Sequence, residues 1–149
     1  MECHVRPATS RDAVAISRVV IAALRESNSQ DYPPDVIAQV EQSFSPEAIT
    51  TQLTKRKVFV ALLGENIIGT AGLDGDVVRC VFVDPAHQNG GIGRHLMDVI
   101  HTTAASAGVG AVRVPSSITA ERFYTALGYQ KIRDEFHGAE RTIIMEKRL

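Results

Sequence analysis

The chain has 149 residues, a length that fits a single domain. Its 16 basic and 17 acidic residues give a formal net charge of -1, so it lacks the basic excess that non-specific nucleic-acid binding needs. The two cysteines, Cys3 and Cys80, stand far apart and outside any metal-ligand spacing, which predicts reduced thiols. With no long apolar run, we expect one soluble, cytoplasmic domain over residues 1–149, with no membrane, nucleic-acid or metal partner.

The N-terminal part of the sequence predicts one strand followed by three helices. A short strand through Val5 ends at Pro7, and Thr9 with Asp12 has the spacing of a capping box before a run of apolar residues at helical spacing. A Tyr-Pro-Pro turn then precedes a short second helix. Residues 45–47, Ser-Pro-Glu, indicate the start of a third helix, which ends in three consecutive cations.

The rest of the sequence alternates strand-like runs with two further helices. One helix runs from near Gly91 to Gly108, and the other is capped by Ser117 or Thr119 and ends at Gly128. The predicted strands are residues 58–63, 67–73, 77–83, 111–114, 129–136 and 142–147. This order indicates a mixed α/β or α+β domain with a largely antiparallel sheet.

A glycine-rich segment joins the strand that ends at Val83 to the helix that begins near Gly91. It reads Gln88-Asn89-Gly90-Gly91-Ile92-Gly93-Arg94. Glycines permit sharp turns and close approach of a ligand to the backbone, and the first N–H groups of a helix are unpaired and electropositive. With Arg94 as an added cation, the segment predicts an anion site suited to phosphate. A simple connecting turn is the alternative.

The spacing of these glycines excludes two common nucleotide sites. A dinucleotide fingerprint would need a glycine at position 96, where Leu96 stands. A P-loop would need a lysine and a hydroxyl residue after its last glycine, and the chain contains no such run.

Three blocks together resemble the GNAT superfamily of N-acetyltransferases, in particular its small bacterial members. They are Val81-Phe82-Val83-Asp84-Pro85, then Gln88-x-x-Gly91-x-Gly93, then Phe123-Tyr124-x-x-Leu127-Gly128-Tyr129. The resemblance implies a largely antiparallel central sheet of about seven strands with about four flanking helices, in a mixed α/β arrangement. It also implies a splayed strand pair at the cofactor site, acetyl-coenzyme A as co-substrate and a possible homodimer.

The resemblance assigns roles to the residues of these blocks. The backbone of Val81, Phe82 and Val83 would bind the pantetheine arm, and Ser117, at the family's usual Asn position, would offer it a weaker hydrogen bond. Tyr124 matches the family tyrosine that contacts the cofactor and protonates the departing thiolate; a core aromatic is the alternative. The residues around the pyrophosphate would be Gln88, Asn89, Gly90, Gly91, Ile92, Gly93 and Arg94.

The general base is not evident from the sequence. An amine must lose a proton before it attacks a thioester, so a base or a water chain is required. Some relatives carry a glutamate on the strand before Ser117, but residues 112–114 are Val-Arg-Val. Asp74 and Asp76 are the candidates, although Asp-Gly-Asp is also a common hairpin turn.

Three further residues are candidates for the acceptor side of the site. Glu26 and Tyr32 lie in the region that borders the acceptor in the family that the chain resembles. Strand alternation predicts that Arg79 points to the same face as Val81 and Val83, where it would bind a substrate carboxylate or pair with Asp76.

The expected activity is acetyl transfer to a primary amine by direct attack, with Tyr124 as the general acid. Cys80 alternates with Val81 and is expected to face away from the thioester, which disfavours a covalent intermediate. A non-catalytic acyl-coenzyme A sensor or partner module is the alternative. The sequence leaves the acceptor open among protein amines, polyamines, amino acids, aminoglycosides and other small amines.

Overall fold

The computed structural model describes residues 3–149 and contains, over that range, seven strands and five α-helices. Their order is β1 (His4–Pro7), α1 (Ala13–Glu26), α2 (Pro34–Glu41), α3 (Pro46–Lys55), β2 (Lys57–Leu63), β3 (Asn66–Asp74), β4 (Val77–Val83), α4 (Ile92–Ser106), β5 (Ala111–Ser116), α5 (Glu121–Ala126), β6 (Gln130–His137) and β7 (Glu140–Arg148). The predicted mixed fold is confirmed. The five helices are the number that the predicted element order gives, one more than the resemblance implied.

The predicted helix starts have the expected side-chain contacts. The backbone N–H of Thr9 donates to Asp12 Oδ2 at 2.8 Å, and the guanidinium of Arg6 binds both oxygens of the same carboxylate. These donors hold the pKa of Asp12 below its usual range. At the start of α3, the Ser45 hydroxyl accepts a hydrogen bond from the N–H of Ala48.

The strands form one sheet in the order β1-β2-β3-β4-β5-β7-β6, and every neighbouring pair is antiparallel except β4 and β5. The parallel pair is joined at a single position, Val77 opposite Arg113, supported by a 2.9 Å bond from Arg113 N to Asp76 O. Beyond this point β4 and β5 diverge, so the predicted splayed pair is confirmed. The gap widens toward Val83 on β4 and Ser117 after β5.

Both faces of the sheet are covered by helices. On one face α4 contributes the fully buried Leu96, Met97 and Ile100. On the other face α1 contributes Ile16 and Val20, which pack with residues of α2 and α3. The divergence of β4 and β5 therefore opens a gap between two apolar layers.

A β-bulge at Cys80 interrupts the alternation of side chains along β4. Cys80 has a positive φ of 55°, and the register between β3 and β4 shifts next to it. As a result Val78 and Val81, three positions apart, both pack against the α4 cluster. A bulge places two residues opposite one, which reverses the faces of all the residues that follow.

The bulge makes the predicted face of Arg79 wrong. Arg79 follows Val78 and pairs opposite Gly72, so its side chain lies on the α1–α3 face, whereas Val81 packs against the α4 cluster. Cys80 packs on the α1–α3 face, and the expectation that it lies opposite Val81 is confirmed.

Candidate active site

A cleft of about 1000 Å³ opens where β4 separates from β5. One wall is β4 from Val77 to Phe82, and the opposite wall is formed by residues 113–117 and Tyr124. The N-terminal helices and the β6–β7 hairpin complete it. Segments distant in sequence therefore meet at the one place where the sheet lacks strand pairing.

The glycine-rich loop and the N-terminus of α4 come directly after β4, and residues 83–94 are not among those that line the cleft. Gly91 is the N-cap residue with a left-handed φ of 82° and provides no side-chain cap. The first intrahelical bond runs from His95 N to Gly91 O, so the N–H groups of residues 92–94 have no partner within the helix. The side chain of Arg94 is exposed beside them. This arrangement suits an anion, as the sequence predicted.

The three glycines of the loop differ in what surrounds them. A Cβ on Gly91 would meet nothing within 4 Å, and one on Gly90 would meet only His87 O at 3.6 Å, so both leave space for a ligand. A Cβ on Gly93 would lie 3.0 Å from the ring of Phe123. Gly93 therefore allows α5 to pack against α4. The expected role of Gly93 in the close approach of a ligand is not supported.

Gln88 and Asn89 shape the backbone of the loop. The side-chain amide of Gln88 donates to Val83 O at 3.2 Å and to Ser27 Oγ at 3.1 Å, which ties the loop to the ends of β4 and α1. Asn89 adopts a left-handed φ of 64°, a conformation that asparagine tolerates better than most residues. The Gln88 side chain is thus occupied by protein contacts, and Ile92 is buried in the core.

Tyr124 belongs both to the core and to the cleft. Its ring is 3% exposed and packs edge-on against Phe123 and Tyr129, with centroids 5.1 and 5.4 Å away. The residue lines the cleft, and none of the side-chain hydrogen bonds within residues 3–149 involves its hydroxyl. Burial raises the pKa of the phenol, and the nearby Tyr129 and Cys80 raise it further. Tyr124 therefore remains neutral and retains its proton.

Ser117 lines the cleft and also stabilises the turn that leads into α5. Its hydroxyl accepts a hydrogen bond from Ala120 N at 3.2 Å within this turn. The N-cap of α5 is Ala120, without a side-chain cap, so the prediction that Ser117 or Thr119 caps this helix is wrong. Thr119 instead donates to Asp31 across the mouth of the cleft.

Tyr32 joins three parts of the cleft wall. Its hydroxyl donates to Arg141 O at 2.7 Å and accepts from Ile118 N at 2.8 Å. The residue lines the cleft, as expected for the acceptor side, but both of these bonds are made to backbone. Tyr32 therefore fixes the distance between the α1–α2 connection, β7 and the segment before α5.

The other acidic candidates lie outside the cleft. Asp74 and Asp76 are exposed in the β3–β4 turn, and Glu26 is exposed at the end of α1. None of the three is among the residues that line the cleft. Asp74 and Asp76 as bases and Glu26 as a substrate contact therefore receive no support from the geometry, which agrees with the hairpin-turn interpretation of Asp-Gly-Asp.

The β6–β7 hairpin contributes cleft residues that the sequence analysis missed. Their positions depend on β7 inserting next to β5, a pairing across the chain that leaves no local signal in the sequence. From the first part of the chain, the buried Asn28 was also missed. The polar hairpin residues that line the cleft are Arg133, Glu135, His137, Glu140 and Thr142.

Arg79 differs from the other two arginines of the cleft. Arg113 pairs with Glu146 at 2.9 Å, and Arg133 pairs with Glu135 at 2.6 Å. Arg79 makes no ion pair within residues 3–149, with Asp76 or with any other carboxylate, and its buried Nε has no hydrogen-bond partner there. The predicted alternative of an Arg79–Asp76 pair is therefore wrong.

Cys80 stands between two guanidinium groups. Arg56 Nη1 donates to Cys80 Sγ at 3.7 Å, and the thiol lies 3.9 Å from Gln52 Oε1. Burial raises the pKa of the thiol, and this outweighs the opposing charges of Arg56 and Arg79. Cys80 is therefore a protonated thiol at neutral pH.

Known structures share this architecture over the whole chain. A GCN5-related N-acetyltransferase from Rhodopseudomonas palustris superposes with a TM-score of 0.94 at 21% identity, covering 100% of this chain and 97% of that one. The PaiA N-acetyltransferase of Thermoplasma acidophilum, determined in complex with coenzyme A, gives 0.86 at 16% identity and covers 100% of both chains. YncA of Salmonella typhimurium, determined with acetyl-CoA, gives 0.67 at 19% identity over 98% and 93%. The class of fold is therefore that of the GNAT acetyltransferases.

Sequence comparison gives the family. The family model described as Acetyltransferase (GNAT) domain matches residues 28–149. The uncharacterized N-acetyltransferase YafP of Escherichia coli K12 is 26% identical over 127 residues, which are 83% of this chain and 79% of that protein. The chain belongs to the GNAT family of acetyltransferases, and the predicted resemblance is confirmed.

Within residues 3–149, no helix is long and apolar enough to cross a membrane. The same range holds no group of three or more side chains of the kinds that bind metal ions.

The double role of the Tyr32 hydroxyl predicts a measurable loss of stability in Tyr32→Phe. The variant keeps the ring but leaves the partly buried N–H of Ile118 without its partner, which should lower the free energy of unfolding by about 1–2 kcal/mol. Urea unfolding measures this. Tyr129→Phe, which loses a single bond to His101, should cost less, and equal stability of wild type and Tyr32→Phe would contradict the assigned role.

Proposed function

We propose that this acetyltransferase moves the acetyl group of acetyl-coenzyme A to a primary amine by direct attack of the amine on the thioester. The observation that carries the proposal is the gap between β4 and β5, which ends at the uncapped N-terminus of α4. Similar folds have been determined with coenzyme A in PaiA and with acetyl-CoA in YncA, which supports the same ligand here.

Each part of acetyl-coenzyme A has a chemically matched surface. Beyond Val77, the backbone groups of β4 that face the gap have no partner on β5, so Val81, Phe82 and Val83 offer hydrogen bonds to the pantetheine amides. Ser117 provides a hydroxyl on the opposite wall. The pyrophosphate would lie over residues 89–94, where free N–H groups and the exposed Arg94 meet its charge.

Tyr124 is the residue that we assign as general acid. Bound acetyl-coenzyme A supplies an activated thioester, whose thiolate needs a proton when it departs. The buried phenol keeps its proton across the physiological range, and the same lack of water raises the basicity of a thiolate beside it. General acid catalysis of this kind contributes a factor of about 10² to 10⁴ in rate.

Direct attack is favoured over a cysteine intermediate. The Cys80 thiol lies on the opposite face of β4 from Val81, and burial keeps it protonated. A thiol is a much weaker nucleophile than its thiolate, so Cys80 is poorly prepared to accept an acyl group.

The acceptor ammonium must lose its proton before attack. Of the two carboxylates that line the cleft, Glu135 is held by Arg133, whereas Glu140 makes no ion pair within residues 3–149. We therefore favour Glu140, directly or through water, over Asp74 and Asp76, which lie outside the cleft.

A first test addresses acetyl-coenzyme A binding at Gly91. Gly91→Trp should reduce the affinity for acetyl-coenzyme A by about 100-fold or more, because bulk at the N-cap would occupy the space of the pyrophosphate. Isothermal titration calorimetry measures this. Gly64→Trp is the matched control, since Gly64 also has a positive φ and an open Cβ position but lies in the β2–β3 turn. Equal affinities for the two variants would refute the proposed pyrophosphate site over residues 89–94.

A second test addresses catalysis by Tyr124. Tyr124→Phe should bind acetyl-coenzyme A nearly as wild type does but release thiol at least about 100-fold more slowly with a reactive amine. Tyr129→Phe, which loses a neighbouring hydroxyl outside the cleft, should keep its turnover.

The same test separates the enzyme from a non-catalytic acyl-coenzyme A sensor. The sensor remains a candidate because residues 112–114 of β5, Val-Arg-Val, lack the glutamate that some relatives carry on this strand and because Ser117 replaces the usual asparagine. Wild-type protein that binds acetyl-coenzyme A but releases no thiol with any amine of a broad panel would establish the sensor. Unchanged turnover in Tyr124→Phe would remove Tyr124 as the acid.

A further inference from the structure

We propose that the acceptor amine carries a carboxylate and that Arg79 binds this carboxylate. The inference rests on the proposed acetyl transfer and adds the class of its substrate. Arg79 would then be a specificity-determining residue in the acceptor half of the cleft.

The first observation is the lack of a counter-charge at Arg79. Arg79 is among the residues that line the cleft, its buried Nε has no partner within residues 3–149, and no carboxylate of that range pairs with it. Arg113 and Arg133, which line the same cleft, are each paired with a glutamate. A partly buried cation without a partner is costly, which points to a ligand as the source of the missing anion.

The second observation is the charge around Cys80. Arg56 approaches the thiol from α3, and both Arg56 and Arg79 act on it as cations. Arg56 Nε is also buried without a partner, and no carboxylate within residues 3–149 pairs with this guanidinium either. Arg56 lies outside the cleft lining, but together with Arg79 it makes the region behind this part of β4 electropositive. A planar guanidinium binds a carboxylate with two parallel hydrogen bonds, a geometry that fits such a ligand.

The third observation is the position of Arg79 along β4. Arg79 precedes the bulge at Cys80 and lies on the α1–α3 face, two residues before Val81, where we propose that the thioester lies. On this face the cleft is lined by apolar side chains of the N-terminal helices and of β4, namely Leu24, Val36, Ile37, Val40, Phe44 and Phe82. The favoured acceptor therefore combines an amine, a carboxylate and an apolar side chain, as in an apolar amino acid.

Matched acceptors test the carboxylate directly. L-phenylalanine, phenylalaninamide and phenethylamine share the ring and the amine and differ in the carboxylate. A second set, aminocaproate, its amide and hexylamine, places the two groups further apart. Thiol release from acetyl-coenzyme A measures the rate. In one of the two sets, kcat/KM should be at least about 30-fold higher for the acceptor that carries the carboxylate. This factor corresponds to the lower end of the cost of removing one partner of a buried charge pair.

Variants of two arginines connect the preference to Arg79. Arg79→Gln should abolish the carboxylate preference through a higher KM for the acid, Arg79→Lys should retain part of it, and acetyl-coenzyme A affinity should not change. Arg133→Gln is the matched control, because this cleft arginine is already paired with Glu135 and should keep the preference. Circular dichroism of each variant verifies the fold.

The outcomes separate this inference from the proposed function. Equal transfer to the acid, the amide and the plain amine would overturn the carboxylate site and leave acetyl transfer standing. A loss of acetyl-coenzyme A affinity in Arg79→Gln would have the same two consequences. Absence of transfer to every amine would contradict the proposed function. In that case calorimetry with N-acetyl-L-phenylalanine and its amide still tests Arg79, because equal or absent binding of the two overturns the inference.

Discussion

The separation of β4 from β5 after a single residue pair is the constraint on which the rest of the structure depends. Backbone groups in the middle of a sheet normally pair with the next strand, and leaving them open costs free energy unless another partner is present. Three features hold the gap open. The bulge at Cys80 bends β4, the ring of Phe123 packs over Gly93, and the Tyr32 hydroxyl fixes the opposite walls. The gap is therefore built by side-chain packing, and it presents the same hydrogen-bonding groups that strand pairing would have used.

The two ends of the gap have different chemistry. The wide end carries free N–H groups of α4 and the exposed Arg94, which together suit a doubly charged pyrophosphate. The inner cleft is apolar on the side of the N-terminal helices, with the unpaired Arg79 in the β4 wall. Tyr124 lines the cleft, with its ring in the core and a hydroxyl that makes no side-chain hydrogen bond within residues 3–149. A cofactor and an acceptor that enter from opposite sides would meet near this phenol.

The sequence predicted the element order and the glycine-rich start of α4 because both are encoded locally. Glycines after a strand, a capping box at Thr9 and periodic apolar residues each leave a pattern within a few residues. The face of Arg79 was mispredicted because a bulge at a non-glycine residue such as Cys80 has no such pattern. Gly93 was assigned to ligand approach because its contact with Phe123 is long-range. The individual cleft residues of the β6–β7 hairpin, such as Glu140, were missed because their positions depend on β7 pairing with β5.

The most direct measurement of the central claim is a crystal structure of the protein with coenzyme A. The account predicts pantetheine amides bound to the backbone of β4 between Val81 and Val83, with the pyrophosphate on the N–H groups of residues 92–94. It also predicts that β4 and β5 remain unpaired beyond Val77 and Arg113. Coenzyme A bound elsewhere, or a gap closed by strand pairing, would contradict it.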